Sequence, residues 1–399
     1  MSEIAVGFVP ERLIEARKSR SLGIIDLANL VDINQSSISR YENGHQTPKR
    51  NILSNLAKAL RFSEKYFYRQ YISDDDQPIF WRAKLSAQAT ALDRAKVRLV
   101  WLKEIVDYLG EFFDFPQLNL GDPIYADPSE ISLDTIEKLA TDVRLMWGVR
   151  PGPMPDIIEK LELSGVFVSR IHINAEKVDA FSQWSDRTGL PFIVLSRDKA
   201  SACRQRFDAA HELGHLLLHR QVNQKHMNNK QTYKLIERQA DYFASFLLLP
   251  EYDFVNDMYS PSLDSLLSLK ERWGVSVAAM VMRCRGLGII DEAQTKRIWI
   301  NYNRRGWRKA EPMDNRLEPE APHLIRRSFE MLMCESVQTP TEILDALPFP
   351  SNELEELADL DVGSLSGKLL SSREPKLKTN TSVNSNVISL DDYRNKVKF

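Results

Sequence analysis

At 399 residues the chain is long enough for two or three domains. Its formal net charge of −2 excludes a global field for nucleic acid, so any such signal must be local. No apolar run is long enough to cross a bilayer, and Cys203, Cys284 and Cys334 lack metal-ligand spacing.

The three cysteines read as packed small apolar residues, and so odd and sparse a set suits a reducing compartment. The N-terminus "MSEIAVGFVPERLIEARKSR" has no signal-peptide apolar core, so the expectation is a cytoplasmic protein with no membrane partner.

Residues 8–68 have the rhythm of short helices broken by brief turns. Leu13, Ile14 and Arg17 mark the first helix, and Ile24, Leu27, Ala28 and Val31 line the second. After the turn Asp32-Ile33-Asn34, Asn34 can cap a third helix, Gln35 to Glu42, that stops at Asn43-Gly44. A fourth follows Pro48 with Ile52, Leu53, Leu56, Ala57 and Leu60 inward. This is a helix-turn-helix layout, whose second helix enters the DNA major groove. Gln35, Ser36, Ser37, Ser39 and Arg40 are the outward residues suited to base edges and phosphates, while Ile38 and Tyr41 face inward. Residues 1–70 carry 11 Lys/Arg against 7 Asp/Glu, a local excess that fits the anionic duplex.

Residues 69–130 read as a helical linker. Within it "IFWRAKLSAQATALDRAKVRLVWLKEIVDYLGEFFDF" reads as one or two long helices, with Leu99, Leu102, Ile105, Val106 and Leu109 at helical spacing. It would serve as a connector or as the contact of a homodimer. Residues 131–260 form the next unit. "ISLDTIEKLATDVRLMWGV" is helical and "RPGPMPD" a loop; "IIEKLELSGVFVSRI", "AFSQW" and "LPFIVLS" supply a helix and short strands. The expected result is a small, partly antiparallel sheet. Pro191 to Leu195 is a candidate edge strand for an extended peptide, with an ordinary core strand as the alternative.

The chemistry concentrates in "HELGHLLLH", His211 to His219. Helix residues four apart lie about 40° apart around the axis and about 6 Å along it, so His211 and His215 can converge on one ion. His219 is about 12 Å along the axis from His211 and is not expected as a ligand. Glu212 falls beside the metal, where it suits a general base; H-E-x-x-H on a helix is the zinc-protease signature. A catalytic zinc takes three protein ligands and keeps one open position. Downstream, "LIERQADYFASFLLLP" reads as a second amphipathic helix stopped at Pro250. Glu237 near its start is the candidate third ligand, with His226 as the rival, and Asp241 one turn later can orient a ligand histidine.

Residues 261–365 read as a helical C-terminal region. Arg304, Arg305, Arg308 and Lys309 around Trp307 form either a nucleic-acid contact or a solvated face. Between Thr341 and Gly367 stand seven acids and no Lys or Arg, a stretch suited to docking on that basic segment or to binding a partner. Residues 366–399 are polar and poor in core residues, which reads as a disordered tail.

Two resemblances rest on these residues. "QSSISRYENGHQTPKRNILSNLAKAL" resembles the Xre/Cro repressors. "RFDAAHELGHLLLHR" followed by "ERQADYFASFLLLP" resembles the ImmA/IrrE metallopeptidases. The second resemblance implies zinc on His211, His215 and Glu237, Glu212 as base, and site-specific cleavage of a protein, often a repressor. The expected fold is α+β and mostly helical: a helix-turn-helix bundle, a zincin-like core with a small sheet, and a helical C-terminal region. The expected function is a DNA-binding zinc endopeptidase acting on a repressor or toxin encoded nearby, in stress response, prophage or toxin–antitoxin control. Its partners would be that protein and a double-stranded DNA operator. The alternative is a non-proteolytic regulator or antitoxin whose zinc fold is a sensor or partner-binding domain.

Overall fold

The computed structural model describes residues 4–71, 77–83, 88–121, 125, 127–174, 178–198 and 201–366; the tail expected from residue 366 onward lies almost wholly outside them. Four helices open the chain: α1 (Pro10–Ser19), α2 (Ile24–Leu30), α3 (Gln35–Glu42) and α4 (Arg50–Leu60). Proline in the first turn starts α1, where the missing N–H is not needed. The Asn34 side chain accepts from the Ser36 N–H at 3.0 Å and caps α3 as its sequence suggests. Leu13, Leu27, Ile38, Leu53 and Leu56 are fully buried between these helices. A buried Arg17–Glu42 pair, 2.6 Å and 2.9 Å, bolts α3 to α1 and so fixes the presented helix.

The segment expected to be helical begins instead with a strand, β1 (Phe80–Ala83), and only then forms α5 (Ala89–Leu109). Four residues are too few for a period-2 pattern to stand out from helical patterning beside them. Nor is α5 a free connector. Trp101, Leu102, Ile105 and Leu109 are fully buried, in one apolar core with the α1–α4 bundle and with Phe167, Phe181, Phe192 and Val194 of the sheet. Polar ties reinforce the seam: Arg12 donates to Glu104 at 2.7 Å, Tyr66 to Glu15 at 2.7 Å, and Trp101 to Tyr66 at 3.1 Å.

After α6 (Leu133–Met146) and α7 (Ile157–Leu163) come β2 (Phe167–Ile171), β3 (Val178–Trp184) and β4 (Pro191–Ser196). The sheet runs β1-β3-β4-β2, with β1/β3 and β3/β4 antiparallel and β2/β4 parallel. The candidate edge strand at Pro191 to Leu195 is therefore interior, with β3 on one side and β2 on the other. All six residues of β4 are buried, the continuous apolar run of a strand covered on both faces.

Next come α8 (Ala202–Leu218), α9 (Gln224–Asn228) and α10 (Lys230–Leu248). A second core joins α6, α7, α8 and α10 to α11 (Glu251–Asp257), α12 (Leu263–Trp273), α13 (Val277–Gly286) and α14 (Glu292–Arg304). Gly214 lets α8 and α10 touch: a Cβ there would stand 3.2 Å from the Ala240 Cα and from Phe243. The chain closes with α15 (Leu324–Cys334), α16 (Pro340–Ala346) and α17 (Ser351–Leu357).

The acidic stretch does not dock on the basic segment 304–309. Glu353 of α17 pairs with Arg98 at 2.7 Å and with Arg20 at 2.9 Å, whereas Arg305 meets Asp264 at 3.0 Å and Trp307 is buried. Cys203 and Cys284 are buried as expected, but Cys334 is exposed. Among the described residues, no helix is long and apolar enough to cross a membrane.

Candidate functional site

α8 places His211 and His215 on one face, with their Nε2 atoms 3.0 Å apart. From α10, Glu237 brings a carboxylate oxygen within 3.7 Å of the His211 Nε2 and another within 3.4 Å of the His215 Nε2. One donor atom from each of the three lies within 4.8 Å of the others, which suits them to share a metal ion; no other group of His, Cys, Asp or Glu among the described residues does this. His226, the rival ligand, stands apart on α9, where its Nδ1 accepts from the Asn223 N–H at 3.2 Å.

The electron pairs of this group ask for a cation. His211 Nδ1 lies 2.9 Å from the Asp241 carboxylate, an acceptor for a proton on that nitrogen, which would leave Nε2 bare. Burial first, then the Arg82 charge, push His211 down to about 3, keeping the ring neutral at pH 7. Burial acts to raise Glu237, but the two histidines and Arg82 outweigh it and hold the carboxyl below its usual range. The Oε1 atoms of Glu237 and Glu212 are buried without a hydrogen-bond partner. Two imidazole Nε2 atoms and a Glu237 carboxylate converging in a buried pocket fit a divalent metal.

Around this group lies a layer of supports. His219 caps the end of α8, its Nδ1 3.1 Å from the His215 Nδ1 and its Nε2 3.1 Å from the Gln239 Oε1. Gln239 in turn donates to the carbonyls of Pro128 at 2.7 Å and Ile131 at 3.2 Å. Glu212 is fully buried; its Oε2 accepts from the Ser182 hydroxyl of β3 at 2.6 Å, and burial pushes its pKa well up. From β1, Phe80 stacks on the His215 ring at 4.7 Å, while Arg82 pairs with Asp208 and reaches Asp241 at 3.1 Å and the His211 ring. A cleft of about 600 Å³ opens beside Arg82, Asp208 and Asp241, walled by Phe207, Tyr242, Met282 and Trp299.

Phe80, Arg82, Ser182 and Gln239 are absent from the sequence-level site. Arg82 and Ser182 come from distant strands, and no local spacing ties either to the histidines. Gln239 was within reach, two positions after Glu237 on the same helix.

On the other candidate surface, Gln35, Ser36 and Arg40 are exposed, and Ser37 and Ser39 are half-buried. Ile38 and Tyr41 point into the bundle core. Asn43 donates to the Ser39 carbonyl at 2.7 Å and its hydroxyl at 3.3 Å, which stiffens the end of the helix.

Residues 13–67 match the helix-turn-helix family, and residues 161–285 match the IrrE N-terminal-like domain of the M78 peptidases. No curated protein matches the chain. β1 and α5 lie outside both matched spans. The chain therefore joins an Xre-like helix-turn-helix segment to a domain similar to the IrrE/ImmA-type peptidases.

Proposed function

We propose that the chain is a zinc-dependent endopeptidase held near its target by sequence-specific DNA binding. The observation that carries this reading is the convergence of His211, His215 and Glu237, with Glu212 buried beside them. Zinc bound there would polarise the scissile carbonyl and make water a nucleophile near neutral pH.

Glu212 takes the proton from the attacking water and passes it to the leaving amine, with Ser182 holding the carboxylate in place. Asp241 keeps the His211 proton on Nδ1. A longer chain does the same for His215. Both Gln239 amide hydrogens go to carbonyls, so its Oε1 must accept. His219 then donates from Nε2, leaving its Nδ1 bare to accept from His215. Each ligand ring would thus turn its Nε2 lone pair toward the Glu237 carboxylate, where the three residues would hold a metal.

The α3 face, with Gln35, Ser36, Ser37, Ser39 and Arg40, reads an operator in the major groove. The substrate is a repressor or toxin encoded nearby. Wild type co-expressed with that protein should give a shortened fragment, and Glu212→Gln should not. A rival reading, a zinc-stabilised sensor without proteolysis, draws support from the closure of His211, Glu212 and His215 to solvent. A regulatory phenotype that survives Glu212→Gln but is lost in His211→Ala would decide for that rival.

A further inference from the structure

Resting on the peptidase reading, we infer that the β3 edge is the substrate-binding edge and that β1 fills it as an internal substitute. β3 supplies Ser182, which holds Glu212 at 2.6 Å. The residue opposite Ser182 in the antiparallel register is Phe80 of β1. Successive strand residues face opposite ways, so Phe80 and Arg82 point to the metal group while Trp81 turns to the far side and packs on Phe181 at 4.8 Å.

β1 therefore sits where an extended polypeptide would add to the sheet with its backbone beside Glu212. It closes the site. Phe80 lies flat on His215, Arg82 occupies the notch of Asp208 and Asp241, and the Trp81 carbonyl accepts from the Tyr233 hydroxyl at 3.3 Å. His211, Glu212 and His215 are left with no exposure, although hydrolysis needs a peptide bond brought against them.

Two features mark β1 as replaceable. It lies outside the matched peptidase span of 161–285, arriving from the segment that follows the helix-turn-helix. On the side facing the site its apolar anchor is small: Phe80 belongs to a cluster with Val222 and Ile236 apart from the main cores, while Ile79 and Trp81 pack against the first core on the far side. What β1 presents also defines the class of segment that would take its place. An aromatic residue faces the His215 ring, and two positions later a basic side chain meets the Asp208–Asp241 notch. The occupant is an extended polypeptide with an aromatic-x-basic pattern.

The test uses the full-length, zinc-loaded chain. Trp81→Asp puts a charge into the β1–β3 seam without altering the metal-facing side. Loss of a cross-strand aromatic pair should raise the rate of zinc extraction by a chromogenic chelator roughly tenfold. A capped peptide of residues 77–83, Gln-Pro-Ile-Phe-Trp-Arg-Ala, added in trans should slow extraction again. Wild-type extraction from a folded variant would overturn the inference. If the variant does not fold, hydrogen exchange on the wild type decides. β1 amides should exchange at least about tenfold faster than those of β4, whereas equal protection would mark β1 as a permanent edge. Unfolded casein separates the two claims. Faster extraction with casein cleavage supports both. Faster, peptide-reversible extraction with no cleavage of casein or of the candidate partner encoded nearby, by wild type or variant, keeps β1 as a displaceable strand and refutes the peptidase reading.

Discussion

His219→Leu tests the support behind the metal group without touching a proposed ligand. Leucine removes both ring nitrogens from a site that is almost fully buried. The His215 Nδ1–H and the Gln239 Oε1 each lose a partner that stood at 3.1 Å. A buried polar group left unpaired costs about 1–3 kcal/mol, so the two together should lower stability by roughly 2–6 kcal/mol. The His215 ring also loses the acceptor that fixes its tautomer, although Phe80 still stacks on its face. Losing such an outer partner typically weakens metal binding about 10–100-fold. Zinc content at protein concentrations well above Kd should stay near one equivalent per chain, because His219 is no ligand. Competition with a chelator of known affinity measures the weakening, and urea unfolding measures the stability. His219→Asn keeps an acceptor near the Nδ1 position and should fall between the two. In the wild type, nitrogen-15 NMR should find the His219 proton on Nε2. Wild-type zinc affinity in His219→Leu, or a His219 proton on Nδ1, would refute the reasoning.

Glu237→Ala should strip zinc while His226→Ala keeps it; the reverse pattern in metal analysis would make His226 the third ligand. Gln35→Ala and Arg40→Ala should weaken operator binding by about 1–3 kcal/mol each while leaving the thermal midpoint unchanged, and binding should fall as salt rises. Footprints unchanged by both variants would make the helix-turn-helix a docking module. Burial, against the pull of Arg12 and Tyr66, raises Glu15 from 4.5 to about 7. The folded state therefore holds this proton more tightly than the unfolded chain. The resulting stability is complete below pH 4.5 and is lost as pH rises through 7, on the order of 3 kcal/mol at most. Glu15→Gln should flatten that slope in denaturation curves taken between those two pH values; an unchanged slope would put the titration elsewhere.

Local chemistry was legible in the sequence. The Asn34 cap, the Gly44 stop and the proline before α4 act over a few residues, so the bundle could be read one turn at a time. The i,i+4 spacings of His211 with His215 and of Glu237 with Asp241 bring all four side chains to one place for the same reason. What escaped notice depends on the path of the chain. β4 was a candidate edge because a buried run has the same composition whether one neighbour or two flank it; the neighbour that encloses it, β2, is parallel and follows from topology alone. The acidic stretch had a basic segment nearby in sequence, yet the fold carries it to Arg98 and Arg20. Arg82 reaches the site only because β1 crosses back to pair with β3.

The most direct measurement compares purified wild type, Glu212→Gln and His211→Ala, each incubated with the candidate partner and followed by intact-mass spectrometry beside metal analysis. Glu212→Gln conserves the size of the side chain and removes its basicity, so it should hold one zinc yet cleave about 10²–10⁴-fold more slowly than wild type. His211→Ala should lose both zinc and cleavage. Cleavage by Glu212→Gln at the wild-type rate, with zinc still bound, would contradict the assignment of Glu212 as the base and with it the proposed peptidase mechanism.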